Sequence, residues 1–280
     1  MQYEKYGQAN LLGALCIAVM LIVTLTLSTQ AGLANAQNKT ISTKPNGIQG
    51  QITNATRMNI ILVHGAGADA SSWSKVIPIL LDTGHKVIAV QLPLHSLADD
   101  VATVKRAIDL LGGPTILVGH SYGGMVISNA AYNNPNVKGL VFIAALAPKE
   151  GQSLSSFTDP NKFPKGSLII DRGGFAYFSP NIFHKSFPDI DPTQAKILGV
   201  TQKPIKMSIF TEKSGPPAWK QLPTWYQVSE NDRNLSPAVE HLFAKQMNAT
   251  TISLPSSHLS LLSHPKEVAQ LILNATRVAK

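Results

Sequence analysis

Ser121 stands in the run Gly119-His120-Ser121-Tyr122-Gly123, with a glycine two places before it and another two places after. A serine hydroxyl attacks an electrophilic carbon only when a base takes its proton and the chain holds the side chain exposed. Flanking glycines serve the second need, because they let a strand turn sharply into a helix with close packing around the turn. The preceding Ile116-Leu117-Val118 is apolar without alternation, as in a strand buried on both faces, and helical character resumes at Gly123. In that setting the run points to nucleophilic catalysis at Ser121.

A nucleophile of this kind needs a base, an acid to orient the base, and donors for the developing oxyanion. The histidines after Ser121 are His184, His241, His258 and His264. His258 comes a few residues after the last expected strand and before the final helix, which suits a base; His264, at the helix entry, is the alternative. Their spacing does not match a metal pair on one helix face, so neither a metal nor a cofactor is expected. For the acid, Ser229-Glu230-Asn231-Asp232-Arg233 follows an expected strand. Spacing leaves Asp232 and Glu230 both open, with Asp232 ahead. Asp99-Asp100 precede the nucleophile and read as a solvated helix start. His64-Gly65-Ala66-Gly67 directly follows the first strand, where a backbone amide could face the oxyanion. Ala66 and Tyr122 are the expected oxyanion-hole residues, through their main-chain N–H groups.

The elements that must hold these residues alternate along the chain. Strands are expected at Asn59–Val63, Lys86–Val90, Thr115–Val118, Val137–Ile143, Thr224–Val228 and Thr251–Leu254. Helices are expected near Ser71–Thr83, Leu97–Leu111, Gly123–Asn133, Ser236–Gln246 and Pro265–Val278. This rhythm is that of repeated βα units, hence an α/β fold with a mainly parallel sheet of about six strands and flanking helices. Residues 149–220 break it with Pro, Gly, Ser and seven phenylalanines from Phe157 to Phe210, as a cap inserted over the C-terminal edge of the sheet.

The 280-residue chain is 44% apolar and 14% charged, which suits a folded core, and its net charge of +8 is scattered. Without basic runs interleaved with aromatics, a nucleic-acid groove is not expected. Residues 1–36 read as a signal peptide or N-terminal membrane anchor: Leu11–Ser28 is an apolar run, and Ala34-Asn35-Ala36 has the small-x-small pattern before Gln37. Export, with secretion or attachment to the outer face of the membrane through residues 11–28, is the expectation, and residues 37–57 read as a linker to a domain spanning 58–280. The lone Cys16 lies in the apolar run, so the domain has neither a disulfide nor a thiolate nucleophile. In an exported chain, Asn38, Asn54, Asn234, Asn248 and Asn274 are N-glycosylation acceptor triplets; Asn234 is the weakest, because Pro237 follows Ser236.

With these motifs in view the chain resembles the α/β-hydrolase superfamily, in the branch of small bacterial carboxylesterases, pyrethroid hydrolases, plant methyl esterases and hydroxynitrile lyases. The resemblance runs from about Met58 to the C-terminus. It is carried by Leu62-Val63-His64-Gly65-Ala66 with Trp73, by Ser96-Leu97-Ala98-Asp99-Asp100-Val101, and by Val118 through Gly124. Ala147-Pro148-Lys149-Glu150-Gly151, opening the cap, and Ser257-His258 complete it. It implies that Asp232 is the acid and that the two antiparallel strands opening larger relatives are absent. Leu259 stands where the lyases resemble one another in a lysine, and Ala66 where they carry a threonine, so lyase chemistry lacks its support. Ser121 in place of an elbow aspartate argues against dehalogenase and epoxide-hydrolase chemistry. The expectation is therefore a serine hydrolase cleaving small to medium apolar carboxylic esters, without cofactor, through an acyl-enzyme. A non-hydrolytic ligand-binding receptor or carrier on the same fold, and an amidase or acyltransferase, are the alternatives.

Overall fold

The computed structural model describes residues 57–158 and 165–279. Residues 1–36, the apolar run 11–28, nearly all of the linker, and the triplets at Asn38 and Asn54 lie outside the described residues. Among the described residues, no helix is long and apolar enough to cross a membrane.

Six strands, all paired in parallel, form the main sheet: β1 (Asn59–Val63), β2 (Lys86–Val90), β3 (Thr115–His120), β4 (Val137–Ile143), β8 (Thr224–Ser229) and β9 (Thr250–Leu254). Their order across the sheet is β2-β1-β3-β4-β8-β9. β1 pairs with β2 on one side and with β3 on the other, so the chain reverses its direction of travel across the sheet between them. Such a switch opens a crevice at the C-terminal ends of the two strands, where open parallel sheets bind ligands. Val63 registers with Gly119 at that edge, which brings the loop after β1 beside the turn after β3.

Every residue of β1 and β3 is buried, and both faces of the sheet are covered. Ile61, Val63 and Leu117 pack in one cluster with the helices α2 (Leu97–Leu111), α3 (Gly123–Ala130) and α6 (Pro237–Gln246). Ile60, Leu62, Ile116 and Val118 face the opposite cluster, built with α1 (Ile77–Leu81) and α8 (Pro265–Val278). Burying one such side chain stabilises the fold by about 1.5–3 kcal/mol, so the central strands anchor whatever their ends carry. α8 shows the underlying pattern: Val268, Ala269, Leu271, Ile272 and Ala275 are buried at helical spacing, while Glu267, Gln270 and Asn274 face water. A four-residue helix, α7 (Ser260–Ser263), intervenes between the His258 loop and α8.

The expected helix over Ser71–Thr83 is two pieces, a 3-10 turn at Ala70–Trp73 and α1. Pro78 sits at the start of α1, where its missing N–H costs nothing. The cap carries strands of its own: an antiparallel three-stranded sheet, β5 (Leu168–Ile170), β6 (Phe175–Phe178) and β7 (Ile205–Lys206), with α4 (Pro180–Ser186) and α5 (Pro192–Thr201). Asp171 Oδ1 accepts from the Phe175 amide at 2.9 Å, and Gly174 takes φ +73°, closing the β5–β6 hairpin.

Candidate active site

The turn after β3 holds Ser121 at φ +53°, a left-handed backbone that a non-glycine residue adopts only when its surroundings impose it. Here two hydrogen bonds to its carbonyl impose it, from the Gly124 and Leu146 amides at 3.0 Å each, with one from its own amide to Ile143 O at 3.2 Å. The flanking glycines are steric necessities. A Cβ on Gly119 would lie 2.6 Å from the Gly123 carbonyl group, and one on Gly123 would lie 2.6 Å from Val63 O. A Cβ on Gly65 would sit 2.8 Å from Ser121 Cβ, so the first loop passes directly over the serine.

That loop is held by His64, which is buried. Its Nε2 accepts from the Leu92 amide at 3.0 Å, which leaves the ring hydrogen on Nδ1 to donate to Gly65 O at 2.9 Å. Burial lowers the pKa of His64 to about 4, so this neutral tautomer persists. Because the carbonyl and the next amide of a peptide unit point in opposite directions, fixing Gly65 O aims the Ala66 N–H away from His64. Among the described residues, neither the Ala66 nor the Tyr122 amide is spent on another hydrogen bond, and both residues border the cavity that holds Ser121. Two free donors beside a nucleophile are what a developing oxyanion requires.

His258 borders the same cavity, 7% exposed. Its Nδ1 is hydrogen-bonded to Asp232 Oδ2. The other carboxylate oxygen, Oδ1, accepts from the Asn234 amide at 2.7 Å and the Leu235 amide at 3.0 Å. Burial alone would raise Asp232, but attraction to His258 and the hydrogen bonds it accepts outweigh that and bring its pKa below the usual carboxylate value. Ser121, His258 and Asp232 thus come from the ends of β3, β9 and β8. His264 instead caps α8, its Nδ1 2.9 Å from Ser263 Oγ, and Glu230 faces His241 at 3.1 Å on the surface.

Several residues at the site escaped the motif reading. The His120 ring lies 4.8 Å from that of His258, and its Nε2 donates to His258 O at 2.9 Å, holding the histidine loop from below. Burial lowers the pKa of His120 to about 3, so it stays neutral. Asp100 corrects the expectation of a solvated helix start: Asp99 is exposed, but Asp100 is fully buried. Its Oδ2 accepts from Tyr122 OH at 2.7 Å and its Oδ1 from the Leu94 amide at 2.8 Å, and burial raises its pKa to about 6. It braces the residue after the nucleophile. From the cap, Asp189 accepts from the Ser257 amide at 2.8 Å and from Ser257 Oγ, clasping the residue before His258. Asn234 Nδ2 is buried and so presents no acceptor amide to a glycosyl donor, whereas Asn248 and Asn274 are exposed.

The cap closes the cavity with apolar side chains, among them Phe178, Phe183, Phe187, Leu198 and Phe210. Phe178 rests on the loop after β1, where a Cβ on Gly67 would lie 2.5 Å from its ring.

Comparison with known proteins agrees with this fold. A pyrethroid hydrolase of Sphingobium wenxiniae is 28% identical over 245 residues, covering 78% of this chain and 87% of the relative. Polyneuridine aldehyde esterase of Rauvolfia serpentina is 23% identical over 258 residues, covering 77% and 94%. The crystal structure of a pyrethroid hydrolase from Sphingobium faniae superposes with a TM-score of 0.67 at 22% identity, covering 79% of this chain and 98% of that one. The model of the alpha/beta hydrolase family matches residues 60–271, and the chain belongs to that family.

Proposed function

We propose that this protein hydrolyses carboxylic esters through an acyl-enzyme on Ser121. The observation that carries the reading is the convergence, on one cavity, of a serine in a strained turn, a histidine backed by an ionised aspartate, and two unspent backbone amides. With Nδ1–H donated to Asp232, His258 presents the lone pair of Nε2 and takes the Ser121 hydroxyl proton as Oγ attacks the ester carbonyl. The tetrahedral oxyanion rests on the Ala66 and Tyr122 amides. Collapse breaks the bond to the leaving oxygen, and His258 gives its proton to the departing alcohol. Water then attacks the acyl-enzyme with His258 again as base, releasing the acid and restoring Ser121. The relatives named as pyrethroid hydrolase and polyneuridine aldehyde esterase support ester cleavage, and the phenylalanine-lined cavity supports an apolar substrate of small to medium size. Export of the protein remains part of this reading, on the strength of the apolar run and the Ala34–Ala36 pattern.

The test pairs a fluorophosphonate probe with an ester chain-length series. Wild-type protein should be labelled on Ser121 and hydrolyse the esters; Ser121→Ala should do neither while keeping its melting temperature. A folded wild-type protein that resists the probe and leaves every ester intact would overturn the proposal in favour of a carrier role. Running matched amides and alcohol acceptors alongside separates esterase from amidase or acyl-transfer activity.

A further inference from the structure

We propose that Glu240 is a positioning residue that stays protonated behind Asp232 and donates its hydrogen to the Asp232 carboxylate. The inference rests on the assignment of Asp232 as the acid of the site. Glu240 lies in the first turn of α6, the helix that follows the acid loop. An acid in that position ordinarily faces water and favours the helix N-terminus. Glu240 is instead fully buried.

Its oxygens have few partners. Oε2 accepts from the Ser229 amide at 2.9 Å, while Oε1 is buried and receives no donor. Ser229 joins Glu240 to Asp232, since its amide donates to Glu240 and its carbonyl accepts from the Asp232 amide at 3.1 Å, and each carboxyl acts on the ionisation of the other. Among the described residues no outside donor reaches Glu240 Oε1, so a hydrogen bond between the two carboxyls must use a hydrogen held by one of them. Two carboxyls in contact and out of water cannot both ionise. Asp232 has His258 and two backbone amides to stabilise its charge, whereas Glu240 has one amide, so the proton stays on Glu240. Burial, then the Asp232 charge, push Glu240 far above the ordinary carboxyl range.

The other titratable groups near it agree. Glu230, in the same loop as Asp232, adds negative charge and is turned outward toward His241. Tyr226 on β8 gives its hydroxyl hydrogen to Ala145 O at 2.6 Å, so it has none for Glu240. The consequence reaches the base. A neutral donor fixes the Asp232 carboxylate without adding a second negative charge near His258, which would hold the imidazolium proton and slow its delivery to the leaving group.

Glutamine and alanine variants distinguish this from a space-filling role. In Glu240→Gln the amide oxygen accepts from Ser229 and the NH2 donates to Asp232. It should keep kcat within about two-fold and leave the acidic limb of kcat/KM unmoved, because no charge has changed. In infrared spectra at about pH 8, where ordinary carboxyls are ionised, it should lack one protonated-carboxyl C=O band of the wild type. Glu240→Ala should lower kcat roughly ten-fold with KM little changed, the loss expected for a hydrogen bond to a charged group, and should shift that limb. A shifted limb in Glu240→Gln, or no band lost, would show Glu240 ionised and overturn the proposal; so would a Glu240→Ala enzyme with wild-type kcat and limb. If the alanine variant does not fold, the glutamine variant and the infrared band decide alone. Fluorophosphonate labelling of wild type is run in parallel: an inert Ser121 beside a Glu240 that carries its proton would sink the assignment of the acid, not the protonation.

Discussion

The floor and the roof of the cavity are built on different principles. The floor consists of loops leaving β1, β3, β8 and β9, and nearly every polar group in it is held by the backbone or by a buried partner. The roof, in the described residues of 149–220, holds a small antiparallel sheet and two helices that present phenylalanines, with β5 so exposed that Ile169 and Ile170 remain 55% and 56% accessible. A reacting centre tolerates little misplacement, so its parts belong on buried strand ends, whereas an apolar lining needs only shape. The two walls meet at Asp189, the cap carboxylate that holds Ser257 beside His258.

If the floor alone carries the chemistry, the largest effect short of removing Ser121 should come from Asp232→Asn. The asparagine oxygen can still accept from the Asn234 and Leu235 amides, so the loop should keep its shape. Its NH2 would face His258 Nδ1 and force the hydrogen onto Nε2, where no lone pair is left for the serine proton. Turnover should fall roughly 10³- to 10⁴-fold for every ester tested, with melting temperature and KM little changed. A loss confined to some esters would break the division between floor and roof.

The same division explains what could be read from sequence. Buried parallel strands carry apolar runs, so β1 and β4 have the expected limits, as do α2, α8 and the half-buried edge strand β2. Ser121, Ala66, Tyr122 and His258 were legible as candidates from glycine spacing and strand-end position, and Asp232, left open beside Glu230 by spacing, from the family resemblance. The cap strands were not, since β5 and β7 are two or three residues long and show no alternation. Asp100 and Glu240 were misread or missed for one reason: an acid in the first turn of a helix has an adequate explanation in solvent. For Glu240 a signal existed, because it falls three and four residues before Phe243 and Ala244, on the face of α6 that turns inward.

The roof is tested by Phe183→Ala. Phe183 is 9% exposed, its ring 6.3 Å from that of Phe178 and 5.2 Å from that of Phe187, so removing it opens the apolar wall while leaving the floor intact. For the preferred apolar ester kcat/KM should drop roughly ten-fold, mostly through KM, and preference should move toward bulkier acyl groups. Labelling of Ser121 by a small fluorophosphonate should stay within about two-fold of wild type. Equal losses in both measurements would mean that the roof also positions the reacting groups.

The smallest effect is one of stability, and it has opposite signs in the two walls. In the roof, Asp189 has a lowered pKa: burial opposes the shift, but the hydrogen bonds from Ser257 prevail. Its contribution is present above the unfolded value near 3.8 and is lost as pH falls through the folded one. In the floor, burial and Asp232 raise Glu240, so its contribution is complete below the unfolded value of 4.5 and drains away as pH rises. Between about pH 7.5 and 9 the buried His64 and His120 are neutral in both states, and the ordinary carboxyls, with Asp100, are ionised in both. Glu240 then binds one proton that the unfolded chain has lost, so wild-type stability should fall by about 1.4 kcal/mol per pH unit across that window. Denaturant melts of Glu240→Gln should show that slope removed, while Asp189→Asn should keep it and differ from wild type only in how stability declines below about pH 4. A wild-type slope that survives in Glu240→Gln would mean that the proton lies elsewhere, and that Asp232 and Glu240 are both charged in the floor.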